Sequence, residues 1–290
     1  MRRAGRPFHP GDVRHSASRA VDNFPRALFM SGMILRTFLL AFMLAVTLPA
    51  FAAEPETRCF EMRTYFATPG KLDELLARFR DHTVKLFAKH GITNIGYWVP
   101  IENKDNKLVY VIAFPNRESR ESAAGSWKAF AADPEWKAAQ KASEVNGKLV
   151  AKVESVFLTA TNFSPEIQPS VAQNGARVFE LRTYTTTPGN LDRLQARFRD
   201  HTLALFAKHG MTNLFYWTPM ADQKNADNTL VYLLAHKDVD AAKASFGAFR
   251  ADPVWIAAKE ASEKDGGGSL TVPDGVKSEF LKATDFSPTR

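Results

Sequence analysis

An internal repeat organises the sequence after the first 57 residues. When the chain is shifted by 119 positions, residues 58–100 align with 177–219 with 30 identities in 43 positions. The match weakens over 102–107, where the second copy has a loop three residues longer, and resumes from Leu108 and Leu230. A period of roughly 120 residues makes each copy a domain, because solenoid repeats are only about 20–50 residues long. The chain is therefore a tandem duplication.

The repeat defines the domain boundaries. We predict a leader at 1–53, a first domain at 58–163, a linker at 164–176 and a second domain at 177–287. The linker is assigned from its composition, since it contains two prolines, serine, glutamine and glycine and few large apolar side chains. Such a composition is typical of loops.

The leader carries the pattern of a secretory signal peptide. Arg36 supplies a positive charge, Thr37–Leu48 is an apolar run of twelve residues, and an Ala-x-Ala site follows at 50–52. The run is shorter than the roughly 20 apolar residues that span a bilayer. We therefore predict export, with translation from Met30 or Met33 and cleavage at the end of the Ala-x-Ala site.

Export predicts a periplasmic or secreted protein, which contacts the membrane only transiently through its signal peptide. Two alternatives stay open. One is an N-terminal anchor helix that is never cleaved. The other is a presequence for a mitochondrial-type organelle, because residues 1–29 are rich in arginine and poor in acids.

The distribution of charge argues against a nucleic-acid partner. The chain has 38 Lys and Arg against 31 Asp and Glu, a formal charge of +7. Seven arginines and two aspartates give the leader +5, which leaves +2 for residues 54–290. Acids and bases are interspersed there, so no basic stripe is present to follow a phosphate backbone. Hydrophobic residues at 45% and charged residues at 24% also exclude a disordered or multi-spanning membrane chain.

Sequence periodicity predicts the same elements in each copy. Cys59–Phe66 alternates between two faces, which predicts a half-buried strand that contains Cys59, the only cysteine. Apolar residues at helical spacing predict a helix over 70–90 that ends at Gly91, and Asp133-Pro134 is a typical helix start. The remaining elements are strands at 92–99, 108–114 and 150–158 and a helical stretch from about residue 118. The order β-α-β-β-α-β is ferredoxin-like and belongs to the α+β class.

These motifs together resemble the NIPSNAP domain. The first copy contains FEMRTYFATPGKL, KHG, GYW, LVYVIAF and DPEW, and the second contains FELRTYTTTPGNL, KHG, FYW and DPVW. Each motif alone is weak, but their order is specific, and the resemblance covers about 210 of the 290 residues.

The resemblance implies a dimeric α/β barrel, in which two ferredoxin-like units put their sheets together around a central barrel. Two tandem units would close that barrel within one chain, as an intrachain pseudo-dimer. The biochemical activity of the family is not settled. Its animal members are associated with mitochondria and vesicle traffic, and these associations do not transfer to a chain that starts with an export signal.

Polar side chains on the first strand of each copy are the candidate ligand-binding residues. If Phe60 and Met62 pack beneath the helices, the alternate side chains point into the barrel. The cavity would then be lined by Glu61, Arg63, Tyr65, Glu180, Arg182 and Tyr184, with Asn94, Trp98, Asn213 and Trp217 at its rim. Arginine would bind an anion and tryptophan would stack on a flat molecule. The alternative is that the Glu and Arg residues only neutralise each other.

Histidines are weaker candidates for chemistry. His82 and His201 flank the apolar stripe of the long helix, where an acid–base or haem-ligand role is conceivable. His90 is expected to cap the last helical turn. The sequence has no metal-binding cluster, glycine-rich phosphate loop or nucleophile elbow, so no metal and no cofactor are predicted, with haem as the alternative. The other tryptophans, assigned to the core, are Trp127, Trp136 and Trp255.

Two functions from different classes follow. One is a non-enzymatic module that holds a small hydrophobic or anionic ligand, or a partner protein, in its barrel. The other is a cofactor-free or haem-linked oxygenase of the kind that related barrels support. A barrel filled by its own aromatic side chains would favour the module, whereas a strongly shifted pKa on a histidine or glutamate beside an open cavity would favour the enzyme. Either a monomer or a homodimer is compatible with the duplication.

Overall fold

The computed structural model describes residues 56–122, 124–171 and 177–290. The predicted leader lies outside the described residues, and so does the end of the predicted linker. Among the described residues, no helix combines the length and the apolar character needed to cross a membrane.

Each repeat has the predicted order of elements. The first repeat contains β1 (Cys59–Ala67), α1 (Leu72–Arg78), π1 (Phe79–Thr83), α2 (Val84–Lys89), β2 (Thr93–Pro100), β3 (Lys107–Phe114), α3 (Arg117–Glu121), α4 (Ser126–Ala132), α5 (Pro134–Ser143) and β4 (Val150–Ala160). The second contains β5 (Val178–Thr186), α6 (Leu191–Arg197), π2 (Phe198–Thr202), α7 (Leu203–Lys208), β6 (Thr212–Pro219), β7 (Thr229–His236), α8 (Val239–Ala251), α9 (Pro253–Asp265) and β8 (Thr271–Ala283).

The predicted helix end at Gly91 and the predicted helix start at Asp133-Pro134 are confirmed, whereas the long helix begins at Leu72 instead of residue 70 and is not regular. Gly91 follows α2 with a φ of +72°, a left-handed conformation that favours glycine. The Asp133 side chain accepts a hydrogen bond from the Glu135 amide at 2.8 Å, and Pro134 occupies the first position of α5. The helix predicted over 70–90 is divided by the π-helical turn π1, which sequence periodicity does not indicate.

The strands form a closed antiparallel barrel. Their order around it is β1-β3-β2-β8-β5-β7-β6-β4, so each repeat contributes four adjacent strands. The two sheets join where β2 pairs with β8, with Trp98 opposite Ala283, and where β4 pairs with β6, with Ala160 opposite Trp217. This closure within one chain confirms the predicted pseudo-dimeric α/β barrel.

Apolar side chains from both repeats fill the barrel. The largest are Trp98 and Trp217, which are at most 1% exposed. Their neighbours include Phe60, Met62, Val109, Val111, Leu158, Phe179, Phe215, Val231, Leu233 and Leu281. A cavity of about 10 Å³ is left beside the two tryptophans, which is enough for about one water molecule.

The predicted orientation of the first strand is wrong. Phe60 and Met62 point into the barrel, whereas Tyr65 packs in the separate core beneath the helices. The buried Glu61 and Arg63 lie on the Tyr65 face of the strand, because side chains alternate along it. Alternation identifies two faces but does not say which one turns inward, since barrel and helices bury one face each.

The segment that follows the last strand of each repeat packs against the other repeat. The Thr161 amide, after β4, donates to the Tyr216 carbonyl of the second repeat at 3.0 Å, and the Thr284 amide, after β8, donates to the Tyr97 carbonyl of the first at 3.0 Å. Ile167, inside the predicted linker, is 1% exposed and belongs to the barrel core. The described part of the linker therefore contributes to packing between the repeats.

The single cysteine is buried, as predicted. Cys59 is 1% exposed at the start of β1, and its Sγ atom lies 3.7 Å from the Sδ atom of Met220. Burial raises the pKa of the Cys59 thiol to about 11. Because the thiolate is the reactive form, this thiol is inert at neutral pH.

Candidate functional site

Two equivalent cavities lie between the helices and the outer face of the sheet, one in each repeat. The first outer pocket has a volume of about 330 Å³ and the second about 280 Å³. The equivalent residues that line the first and second outer pockets are Tyr65 and Tyr184, Arg78 and Arg197, Phe79 and Phe198, Thr83 and Thr202, Phe87 and Phe206, Phe130 and Phe249, Trp136 and Trp255, Glu144 and Glu263, and Val153 and Val276. Both pockets are thus rich in aromatic side chains, with one buried arginine each.

The π-helical turn determines which side chains line the first outer pocket. In a regular helix Arg78 and Thr83 would lie about 140° apart around the axis. In π1 the Val84 amide donates to the Phe79 carbonyl five residues earlier, and the Thr83 hydroxyl donates to the Arg78 carbonyl at 3.2 Å. The wider turn brings Arg78 and Thr83 into the same lining. Such turns often occur at functional sites.

The buried arginines are held by the helix that closes each pocket. Nη1 of Arg78 donates to the Glu144 carboxylate at 3.0 Å and to the Ser143 hydroxyl at 3.3 Å. Its guanidinium carbon lies 5.3 Å from the centre of the Trp136 ring. Arg78 is 5% exposed. This arginine is therefore a fixed cation at the side of an apolar cavity.

The candidate pair Glu61 and Arg63 lies beneath the helices next to the first outer pocket. Glu61 is fully buried and accepts hydrogen bonds from Arg63, from the Arg120 Nε atom at 3.0 Å and from the Ser155 hydroxyl at 2.6 Å. Burial alone would raise the pKa of Glu61, but Arg120, Arg63 and Ser155 outweigh it and lower the pKa. The Arg63 guanidinium lies 4.5 Å from the centre of the Trp127 ring. Both guanidinium groups thus have the same carboxylate partner within the repeat, which leaves the cluster with one positive charge in excess.

In the second repeat the buried glutamate is partnered by a histidine in place of the second arginine. Glu180 accepts from Arg182 at 2.5 Å and from the Ser278 hydroxyl at 2.5 Å, and its second oxygen lies 3.0 Å from Nε2 of His236. His236, at the strand position that Phe114 occupies in the first repeat, takes the role that Arg120 has there. Burial again opposes a lowered Glu180 pKa and is outweighed, first by the hydrogen bond with His236. Neither Arg120 nor His236 was singled out by the sequence pattern, because each lies far along the chain from its glutamate.

The asparagines and the tyrosines near them hold the helix to the sheet. The Asn94 amide donates to the Val84 carbonyl at 3.1 Å and accepts from the Tyr97 hydroxyl, and Asn213 repeats this with Leu203 at 2.9 Å. The prediction that Asn94 and Asn213 form the rim of a barrel cavity is therefore wrong.

Trp98 and Trp217 also differ from their predicted place. Both lie inside the packed barrel, so they are not available as a stacking surface at a rim. As in the first strand, the inward and outward faces are the reverse of those predicted. Trp98 and Trp217 alternate with the tyrosines that face the helices, so both tryptophans point into the barrel. Whether Glu61, Arg63, Tyr65, Glu180, Arg182 and Tyr184 contact a ligand stays a prediction.

The histidines of the long helices do not line either outer pocket. His82 is partly exposed and His201 is exposed, and His201 lines a separate crevice of about 240 Å³. The His90 ring contacts the Asp133 carboxylate at 2.7 Å instead of a helix carbonyl. Hydrogen bonds from Lys89 and then His90 hold the pKa of Asp133 well below its usual range. In the parts of the chain that the structure describes, no group of three His, Cys, Asp or Glu residues is arranged to hold a metal ion.

A family model for NIPSNAP matches residues 60–165 and again residues 179–288. The chain belongs to the NIPSNAP family. An uncharacterised NIPSNAP domain protein from Burkholderia xenovorans is 30% identical over 37% of this chain and 99% of its own, with a TM-score of 0.32. A NIPSNAP family protein from Agrobacterium tumefaciens is 25% identical over 38% and 98%, with a TM-score of 0.33. Each of them covers about one repeat of this NIPSNAP protein.

A longer match shows the shared fold. A predicted monooxygenase from Fusobacterium nucleatum covers 78% of this NIPSNAP chain and 92% of its own, with 12% identity and a TM-score of 0.52. At such an identity the likeness concerns the fold and not the activity. No curated protein matches the sequence.

The residues that distinguish the outer pockets of this NIPSNAP protein are not indicated by the sequence pattern. Trp136 and Trp255, assigned to the core, pack against it but are also half-buried in the pockets. Arg78 and Arg197 were not singled out at all. Their identity in both repeats was visible, but on a regular helix they lie off the apolar stripe, and only the π-helical turn brings them into the pocket.

Proposed function

We propose that this NIPSNAP protein is an exported binding protein whose small, planar, largely apolar ligands occupy the two outer pockets. The barrel has a structural role in this proposal. The observation that carries it is the contrast between a barrel left with about 10 Å³ and outer pockets of about 330 and 280 Å³. Ligand sites commonly measure about 300–1,000 Å³. The barrel is filled by its own side chains, with two tryptophans among them, and this also favours a binding module.

The lining of the pockets supports a planar ligand. In the first outer pocket Tyr65, Phe79, Phe87, Phe130 and Trp136 all contribute to the lining. Aromatic side chains offer large flat surfaces for stacking. The volume suits one small molecule or a single side chain of a partner protein, and we favour the small molecule because both pockets are concave.

Pocket-filling variants test the proposal. Val153 and Val276 are equivalent strand residues that are 43% and 41% exposed and line the first and second outer pockets. With indole as a neutral planar probe, we expect two binding sites in the wild type by isothermal titration calorimetry. Val153→Trp and Val276→Trp should each keep one site, and the double variant should keep none, because the new ring occupies the cavity. Two sites in the double variant would contradict the proposal.

Oxygenase chemistry in the same pockets is the alternative. The fold shared with a predicted monooxygenase favours it. Against it, the Tyr97 and Tyr110 rings pack against Phe79 of the first outer pocket but do not line it, and burial raises the pKa of both hydroxyls well above the ordinary value. Both hydroxyls therefore stay protonated at neutral pH and offer no base to a ligand in the pocket. Since His82 and His201 lie outside both pockets, neither is a candidate axial ligand for haem there.

Export and the monomeric state belong to the proposal. The apolar run and the Ala-x-Ala site at 50–52 support cleavage, and the second repeat already supplies the sheet that a second copy would otherwise provide. Protein purified from its natural host is expected to begin at Ala53 by intact mass spectrometry and to elute as a monomer. A chain that keeps residues 33–52 would instead indicate an uncleaved anchor.

A further inference from the structure

We infer that the outer pockets bind molecules that carry one negative charge, and that the second outer pocket binds them more tightly than the first. The inference rests on the proposed function and names its ligand class, a small aromatic monoanion such as a benzoate. It follows from the charges that line the two cavities and from how completely each buried arginine is already neutralised.

Both pockets carry an uncompensated positive charge. Each is lined by two cationic side chains and one carboxylate: Arg78, Lys148 and Glu144 in the first, and Arg197, Lys259 and Glu263 in the second. The two lysines occupy different positions in the repeats, since Lys148 follows α5 whereas Lys259 lies within α9. The excess positive charge therefore arises from a differently placed lysine in each repeat. A single carboxylate on a ligand would neutralise it.

In the first outer pocket the arginine is well paired. Arg78 Nη1 lies 3.0 Å from Glu144 Oε1, within the range of a charge-assisted hydrogen bond. The Leu149 amide also contacts Glu144 Oε1, at 3.5 Å. An incoming anion must therefore compete with a carboxylate that already neutralises Arg78.

In the second outer pocket the arginine is poorly paired. Arg197 Nη1 lies 3.8 Å from Glu263 Oε1, beyond hydrogen-bond distance, and the other oxygen of Glu263 is held by Lys259 at 3.1 Å. The Ser262 hydroxyl, at 3.3 Å from Arg197, is a neutral partner. Burial lowers the pKa of Arg197, and Glu263 offsets this only in part. A buried cation without a close anion is costly in free energy. A ligand anion therefore gains more binding free energy at Arg197 than at Arg78.

The geometry also fits a planar anion. Nη2 of Arg78 and of Arg197 donates no hydrogen bond to any residue that the structure describes. Both arginines line their cavities, so Nη2 is a donor that a ligand carboxylate can meet. The guanidinium carbons lie 5.3 Å and 5.1 Å from the rings of Trp136 and Trp255. A benzoate could place its carboxylate on the guanidinium and its ring among the pocket aromatics.

The five tryptophans of the chain allow each site to be followed separately. Protein labelled with 5-fluorotryptophan should give five fluorine resonances, assigned with single Trp→Phe variants. Benzoate, anionic at neutral pH, is expected to shift the Trp255 resonance at a concentration about tenfold lower than the Trp136 resonance, since a charge-assisted hydrogen bond to a poorly paired arginine is gained. Benzamide, its neutral counterpart, should shift both resonances at similar and higher concentrations. Trp98 and Trp217 report whether the barrel stays folded.

Variants of the arginines and of their carboxylates sharpen the test. Arg197→Met should abolish the preference of the Trp255 site for benzoate over benzamide, and Arg78→Met should do so at the Trp136 site. Glu144→Gln should tighten benzoate binding in the first outer pocket about tenfold, because it removes the negative charge that competes with the ligand for Arg78. Glu263→Gln is the matched control and should have a smaller effect.

The outcomes separate this inference from the proposed function. If benzamide and benzoate shift the pocket resonances at the same concentrations, or if Trp136 and Trp255 respond to benzoate together, the pockets bind ligands but the inference is wrong. If neither probe shifts either pocket resonance while the barrel resonances show a folded protein, the proposed function is wrong as well.

Discussion

Replacement of Glu61 by glutamine is expected to lower the free energy of unfolding by about 3–5 kcal/mol, the usual effect of removing one partner of a buried ion pair. Glu61 is fully buried and is the carboxylate partner of both Arg63 and Arg120. Glutamine keeps the shape of the side chain but removes its charge. Two guanidinium groups would then be left near each other without an anion. Urea unfolding followed by circular dichroism measures the change.

An exposed glutamate on a neighbouring strand provides the control. Glu154 is 55% exposed and pairs with Lys152 at 2.6 Å, so Glu154→Gln should change the free energy of unfolding by less than about 0.5 kcal/mol. A change below about 1 kcal/mol for Glu61→Gln would show that the two arginines find other partners, and would contradict this account of the buried network.

The stabilisation by Glu61 should also depend on pH in one direction. Its pKa is lowered in the folded protein, so its contribution is fully present above the unfolded value of about 4.3 and is lost as pH falls below it. The difference in stability between wild type and Glu61→Gln is therefore expected to be constant from neutral pH down to about pH 5 and to shrink below about pH 4. A difference that grows on acidification would contradict the sign of the shift.

A second large loss, of about 3–5 kcal/mol in the free energy of unfolding, is expected for Trp98→Ala. Trp98 is 1% exposed inside the barrel, and its ring centre lies 5.8 Å from that of Phe179. The ring also covers Gly96, where a Cβ atom would come within 2.2 Å of it. Because position 96 has no side chain to move into the vacated space, the cavity would persist.

The equivalent position in the second repeat gives a matched comparison. Phe215 stands where the first repeat has Gly96, and its ring centre lies 5.3 Å from that of Trp217. Phe215 can shift into part of the space, so Trp217→Ala should cost less than Trp98→Ala. Equal costs would show that the cavity in the first repeat collapses just as readily.

Substitutions in the barrel are expected to lower stability and leave ligand binding intact. Substitutions in the outer pockets are expected to weaken binding at a smaller cost in stability. Trp98→Ala should keep indole binding in both outer pockets, whereas Trp136→Ala, at a half-buried site, should cost less stability and weaken binding in the first pocket. If Trp98→Ala removed indole binding from a folded protein, the barrel and not the outer pockets would be the site.

The fold was largely predictable, and the site was not. Local patterns predicted the strands, the Asp133-Pro134 helix start and the turn at Gly91, because each depends on residues close together in the chain. Arg120 and His236 could not be predicted as partners of Glu61 and Glu180, since those contacts form only after distant segments pack. The buried glutamate also has a different partner in each repeat. Comparison of the two repeats therefore does not identify the partner either.

The duplication, the ferredoxin-like order of elements, the family and the two alternating faces of each strand all follow from patterns along the chain. Which face turns inward depends on how the two sheets close. Period-two alternation records that two environments exist, but closure of the barrel buries both, and the larger apolar side chains of Phe60 and Trp98 fill the interior. The π-helical turn, which brings Arg78 into an outer pocket, likewise depends on packing that a regular helical period does not encode.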